Sequence, residues 1–288
     1  MAKPAELFTP PSTTQKLVRK ALEILLARLP TGTVLGALPG LPHYYAGRVL
    51  ARRDHTGLYS GIYRSYAEAL AAVPKTRLAG WDHEDSSTLW VDQIDPVKLS
   101  TYPVFFWLNR LLAAGSHVVD VGGSIGLTYY GYRRYAGLPD NATWTVVEVP
   151  KICAQGMKIA QRENAVNLTF VSTAAEAGAA DVLLSAGALQ FMPESVPGLL
   201  ESLPNAPRYL LLNKLPVTPG EDCWTLQNYG PAVTPHRLFN ERGFLDYFER
   251  HGYRLRDRWA VQDLDCLIPF HPRRFIRHFS GFLFELAR

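Results

Sequence analysis

The stretch HVVDVGGSIGLTYYGY, His117–Tyr132, decides the fold. An apolar run stops at an acid, Asp120, and Gly122, Gly123, Ser124 and Gly126 follow within a few residues. HVVDV reads as a short buried strand, and Leu127–Tyr135 as the helix after it. Glycines between the two let the backbone take positive φ and let a ligand come close. The N–H groups at the start of the helix lack partners and suit a carboxylate or a phosphate alike.

Outward from this unit the chain alternates. Thr143–Val149, Leu168–Ser172, Asp181–Gly187 and Arg208–Leu215 have strand character. Lys151–Asn164 and Pro193–Leu203 have helical character. Helix Asn240–His251 follows, then strands Tyr253–Ala260 and Gly281–Leu286. The pattern predicts an α/β protein: a doubly wound, mostly parallel seven-stranded sheet that ends in an antiparallel hairpin. The first hundred residues differ in texture. Ser12–Gln15 is a capping box opening a helix through Ala27, and Ser65–Glu68 is a second one. Thr31–Gly47, rich in glycine and proline, reads as a loop, Asp95-Pro96 as a turn, and Tyr102–Gly115 as a helix. Residues 1–100 are therefore expected to form an N-terminal helical or lid region, and 101–288 the ligand-binding domain.

Composition narrows the function. The 288 residues are 47% hydrophobic and 19% charged, with a formal net charge of +4. That is enough apolar material for a large core and too little basic charge for a nucleic-acid stripe. Three scattered cysteines, Cys153, Cys223 and Cys266, match no metal-ligand spacing and suit a reducing compartment. The first residues contain no apolar signal region, and no apolar run approaches the ~20 residues of a membrane helix. The expectation is a cytoplasmic protein with a small-molecule partner, no metal, no nucleic acid and no integral membrane segment. An aromatic face in the first hundred residues offers a surface for a homodimer.

The ligand is read from the acids. There is no P-loop motif, and the turn does not follow the G-x-G-x-x-G nicotinamide fingerprint. Asp120 lies where the ligand would sit and would repel a pyrophosphate but attract an ammonium group. Glu148, at the end of the second strand, is placed to accept both hydroxyls of a ribose. An amine at one end and a ribose further along describe S-adenosylmethionine.

DVGGSIG, Asp120–Gly126, with Glu148 after it, resembles the cofactor loop of Rossmann-like, S-adenosylmethionine-dependent methyltransferases. The usual D-x-G-x-G-x-G pattern has Ser124 in place of its central glycine, which adds a hydroxyl for the cofactor carboxylate. LYSGIYRSYAEAL (Leu58–Leu70), YPVFFWLNRLL (Tyr102–Leu112) and DVLLSAGALQFM (Asp181–Met192) extend the resemblance. They are similar to one bacterial group of methyltransferases whose genes often accompany surface-polysaccharide or secondary-metabolite genes. The resemblance covers roughly residues 55–288.

It implies a cofactor site of Asp120, Gly122, Gly123, Ser124, Gly126, Glu148 and Val149. Ser185 and Leu189 would lie under the methionine part, with Tyr102 and Tyr130 close by. S-adenosylhomocysteine would be the product. Gln190 could hold cofactor or acceptor by hydrogen bonds, and Asn213 is a second polar candidate. The long segment Asn213–Phe244 reads as a loop over the site and carries His236, the expected general base, with Gln227 and Asn228 as acceptor contacts. Tyr59 and Tyr63, with Tyr44, Tyr45 and Tyr66, would wall the acceptor. The leading expectation is an O-methyltransferase acting on a natural product or sugar. The alternatives are an N-methyltransferase, a scaffold that holds the cofactor without transfer, and a nicotinamide oxidoreductase, which Asp120 opposes.

Overall fold

A computed structural model describes residues 56–83, 91, 97–193, 196–229, 232–268 and 270–287. The expected helix Ser12–Ala27, the loop Thr31–Gly47 with Tyr44 and Tyr45, and the Asp95-Pro96 turn lie outside these residues. The described chain falls into two compact units. Among the described residues, one draws on 56–80, Thr218–Leu238 and Asp265–Arg277; the other on residues from Trp81–Val217, Phe239–Leu264 and 278–287. The chain thus crosses between units more than once, where a single cut near residue 100 was expected.

The larger unit is the alternating α/β domain. Its elements are α2 (Tyr102–Leu111), β3 (His117–Val121), α3 (Leu127–Tyr135), β4 (Thr143–Val147), α4 (Pro150–Arg162), β5 (Leu168–Val171), β6 (Val182–Ala186), α5 (Val196–Ser202), β7 (Tyr209–Leu215), α6 (Glu241–Arg250), β11 (Tyr253–Val261) and β12 (Phe279–Leu286). The sheet order is β11-β12-β7-β6-β3-β4-β5. β5, β4, β3, β6 and β7 run parallel, and β12 is antiparallel to both of its neighbours. The chain winds from β3 out to β5, then returns to place β6 on the other side of β3. The switch point therefore lies between β3 and β6, at their carboxyl ends, where open α/β sheets bind ligands.

Side-chain alternation explains how the sheet buries both faces. Val119, Val121, Leu183, Leu210, Leu212, Phe282 and Phe284 join one core with Phe244 and Phe248 of α6. Val118, Val182, Leu184, Leu211 and Leu283 join the other with Tyr129, Tyr132, Trp144 and Ile152. Adjacent residues go to opposite cores, as a period of two demands, and each fully buried large side chain contributes roughly 1.5–3 kcal/mol. Gly281 of β12 faces Trp259 of β11, and a Cβ there would stand 2.0 Å from the indole. That bare backbone lets the indole lie flat and donate to Asn213 Oδ1 at 3.0 Å.

The second unit is built on a mostly antiparallel sheet, part of which comes from a segment expected as a loop. It contains β1 (Thr56–Tyr63), α1 (Tyr66–Ala71), β2 (Leu78–Ala79) and β9 (Cys223–Tyr229), with β10 (Ala232–Asn240) in the order β1-β9-β10-β2. The two-residue β8 (Val217–Thr218) also pairs with β10. Asn213–Phe244 is therefore mostly strand. The β-branched and aromatic residues of CWTLQNY and AVTPHRLFN alternate and satisfy their backbone by pairing. Ser65 caps α1 by accepting from Glu68 N–H, while the Glu68 carboxylate accepts from Arg64 N–H, one residue earlier than in a full capping box. One face of this sheet packs Trp224, Leu226 and Val233 on Ala69.

Gly281→Ala should displace the Trp259 ring and lower stability by about 1–3 kcal/mol, the usual range for overpacking. Urea unfolding of the variant reads this directly; an unchanged midpoint would mean that the indole can move aside freely.

Candidate active site

The site at the switch point starts with Asp120, the fourth residue of β3, which is 0% exposed. Its Oδ2 accepts from the Trp144 indole N–H at 3.3 Å, and its Oδ1 has no hydrogen-bond partner. Burial drives the carboxyl up to about 7; the indole and Lys214 oppose this, and the Glu148 charge adds to it. The turn closes directly over it. A Cβ on Gly123 would meet the Asp120 carboxyl carbon at 2.6 Å, so only glycine lets the chain pass there. Gly122, at φ +69, donates to Val147 O at 2.8 Å, and a Cβ on it would fall 2.0 Å from Ala188 Cβ. Gly126, at φ +92, starts α3 beside Tyr130 and Leu168.

Ser124 holds φ +56 without being glycine, a conformation that costs roughly 1–2 kcal/mol for an L residue. Its hydroxyl is buried with no partner, and its N–H donates to Glu148 Oε1 at 3.2 Å. Glu148 Oε2 accepts from Val149 N–H at 2.9 Å. Burial raises the Glu148 carboxyl to about 7 despite those two bonds, and the nearby charge of Asp82 adds to the rise. Glycine turn, Asp120, Ser124, Glu148 and Val149 are thus brought together in one place.

Other expected residues are placed differently. The Ser185 hydroxyl donates to Val121 O at 3.0 Å, so it braces β6 against the end of β3 instead of facing a ligand. Leu189 packs in the core. Tyr130 is buried in the other core, and after Tyr129 the charges nearest its hydroxyl are Glu163, Arg133 and Arg162, from the far ends of α3 and α4. Burial raises that hydroxyl to about 12. Tyr102 is 50% exposed at the start of α2. Asn213 has no exposed surface: its Nδ2 donates to Ser100 O at 2.9 Å and its Oδ1 accepts from Trp259. With both ends of the amide engaged, Asn213 ties the approach to α2 onto β7 and does not reach an acceptor. Gln190 keeps its claim. It is buried, its Nε2 donates to Gly187 O at 3.1 Å, and its Oε1 has no partner.

His236, Tyr59, Gln227, Tyr63 and Asn228 belong to the second unit. Tyr59 lies opposite Gln227, Gln227 opposite Thr234, and His236 opposite Thr225. Opposed residues share a face, so Tyr59, Gln227, Thr225, Thr234 and His236 line one side. It is a polar face, and the Tyr59 and His236 rings meet edge to face at 5.1 Å. Tyr63 and Asn228 are on the other side, Tyr63 with Trp224 and Asn228 accepting from Arg77 at 3.0 Å. His236 is 1% exposed, and burial pushes its imidazole down to about 3. A base that holds a proton so weakly is poorly matched to neutral pH, which counts against the expected role of His236.

Two residues without any motif join the site. Asp82 accepts from Lys151 N–H at 3.2 Å, at the start of α4, and acts on Glu148. Lys214 follows Asn213 in β7 at φ +60, with its stem against Gly187. Neither sits in a sequence pattern; parallel pairing of β6 with β7 was the one available hint for Lys214.

No known family profile and no curated protein matches this chain. Solved structures do. A methyltransferase from Geobacter sulfurreducens, in complex with S-adenosylhomocysteine, is 15% identical over 70% of this chain and 96% of its own, with a TM-score of 0.43. An S-adenosylmethionine-dependent methyltransferase from Aquifex aeolicus is 14% identical over 70% and 98%, with a TM-score of 0.47. The Burkholderia thailandensis 1,6-didemethyltoxoflavin-N1-methyltransferase is 15% identical over 90% and 93%, with a TM-score of 0.46.

Gly122→Ala combines a strained φ with a collision at Ala188 and should cost about 2 kcal/mol or more. Ser124→Gly relieves strain of similar size and loses part of the gain, about 0.5–1 kcal/mol, to unfolded-state entropy. Denaturant midpoints should therefore move in opposite directions for the two variants.

Proposed function

We propose that the protein transfers a methyl group from S-adenosylmethionine to a hydroxyl oxygen of a small molecule. One observation carries the reading: a buried carboxylate oxygen, Asp120 Oδ1, without a partner beneath a glycine turn at the switch point. A carboxylate so placed is stabilised by a cation, and the ammonium of the donor's methionine part supplies one.

The remaining residues fit the same ligand. The bare backbone of Gly122 and Gly123 forms the cradle, and the buried Ser124 hydroxyl is available to the donor's carboxylate. Glu148 has acceptor capacity left on both oxygens for a ribose diol, and the α4 N-terminus follows it. When bound, the donor supplies a methyl group activated on a cationic sulfur. What remains for this chain is alignment, exclusion of water and acceptance of a proton. Gln190 Oε1, buried and unpartnered beside the end of β6, is placed to orient a hydroxyl.

The pH dependence follows from the raised carboxyls. Asp120 and Glu148 both titrate near 7 without ligand, and a cationic ligand favours the ionised form of Asp120. Below that pH, binding must expel a proton, so affinity falls with falling pH. Calorimetry with S-adenosylhomocysteine, which carries the same ammonium and ribose, should give binding about tenfold or more weaker near pH 6 than near pH 8. Asp120→Asn should bind about 10–100-fold more weakly at the higher pH and lose much of the pH dependence. No heat of binding by the unaltered protein at millimolar ligand would sink the reading.

A further inference from the structure

The end of β7 holds a lysine that the cofactor site does not use. Lys214 sits at φ +60, a left-handed conformation inside a strand and one that persists in a non-glycine residue only when the surroundings over-determine it. Its neighbour across the parallel ladder is the residue after β6, Gly187, since Ala186 pairs with Asn213. A Cβ on Gly187 would stand 3.3 Å from Lys214 Cδ, 3.5 Å from its Cβ and 3.8 Å from Gln190 Nε2. The lysine stem thus packs along the backbone of Gly187, next to Gln190 and the switch point.

The charges acting on Lys214 are Lys98, Asp263 and Asp120, from three different segments around it. No carboxylate among the described residues is within ion-pair distance of it. Burial, then the like charge of Lys98, lower its ammonium to about 8, with the two acids opposing the shift. The other candidates for taking a proton are committed or mismatched. Asp120 and Glu148 hold the donor, the Asn213 amide is engaged at both ends, and the His236 imidazole is too weak.

We propose that Lys214 is the general base of the transfer, its neutral amine accepting the proton of the acceptor hydroxyl. This rests on the methyl-transfer reading. As the acceptor oxygen bonds to the methyl carbon, the carbon–sulfur bond breaks and sulfur keeps the electron pair. The hydroxyl proton passes to Lys214 Nζ, which later returns it to solvent, and no metal or oxidant enters. The donor's sulfonium makes the base ready. It adds a positive charge to a site that already holds Lys98 and Lys214, which drives Lys214 toward its neutral form; S-adenosylhomocysteine lacks that charge and does not.

The test is proton release measured by calorimetry near pH 8 in two buffers of different ionisation enthalpy. S-adenosylmethionine should release a larger fraction of a proton than S-adenosylhomocysteine. The excess should vanish in Lys214→Met and Lys214→Arg. The arginine stays charged, so that variant should also bind S-adenosylmethionine about tenfold more weakly relative to S-adenosylhomocysteine. On any sugar or phenol that the unaltered protein methylates in a panel of such compounds, turnover by either variant should fall about 10²–10⁴-fold. Equal proton release by the two ligands in the unaltered protein overturns the proposal, and that arm needs no variant to fold. An excess that survives in Lys214→Met, or near-normal turnover by Lys214→Arg, also overturns it. Failure of both ligands to bind is a different outcome and counts against the methyl-transfer reading itself.

Discussion

A carboxylate with no exposure to water stands next to the end of the central strand, and the chain around it is arranged to keep it there. Asp120 faces the core that contains Trp144, and the indole N–H is its one donor. Gly122 and Gly123 fold over it without side chains to obstruct them, and Gly123 could not carry a Cβ against the carboxyl carbon. Gly122 presses on Ala188 from the adjoining strand end, and the Ser185 hydroxyl fastens β6 to the carbonyl of Val121. Each contact narrows the turn, and each makes the charge below it harder to solvate. An ion in such surroundings is costly unless it is paired.

Three groups around the switch point are displaced toward neutrality for that reason. Asp120 and Glu148 are raised and Lys214 is lowered, with burial the largest cause in every case. None of the three is partnered by another as an ion pair. Groups shifted in this way cluster where proteins bind charged ligands or move protons. A donor with an ammonium at one end, a ribose at the other and a sulfonium between acts on all three at once. On the proposed reading it would stabilise the acids as anions and Lys214 as an amine, and the site would reach its working charge state when loaded.

Much of this was legible along the chain. The β3–α3 unit, the alternation that follows it and the antiparallel ending appear in the structure close to the expected bounds, since each is a local matter of periodicity and turn chemistry. Asp120, the glycines, Ser124 and Glu148 were legible too, because they are adjacent or sit at strand ends. The errors are non-local. Asn213–Phe244 holds His236, glycines and prolines and reads as a loop, yet it pairs with β1, more than a hundred residues earlier. That pairing buries His236 and separates Tyr59 and Gln227 from Tyr63 and Asn228 by a strand's alternation. Asn213 and Ser185 look like polar residues at strand ends, where ligands bind. Their hydrogen bonds to Ser100, Trp259 and Val121 are visible only once distant segments meet.

The sequence by itself determined the β3–α3 unit and the turn between them, because an acid and four small residues within seven positions leave little conformational choice. Only the tertiary structure decided which polar groups remain unpaired. Asp120 Oδ1 and Gln190 Oε1 are without partners, while Asn213 and Ser185 are engaged. Lys214 comes to the switch point because β7 pairs with β6 and its stem packs along Gly187, just past the end of β6. Burial and hydrogen bonding are sums over residues far apart in the chain, and ionisation follows from those sums; no motif within one segment records them.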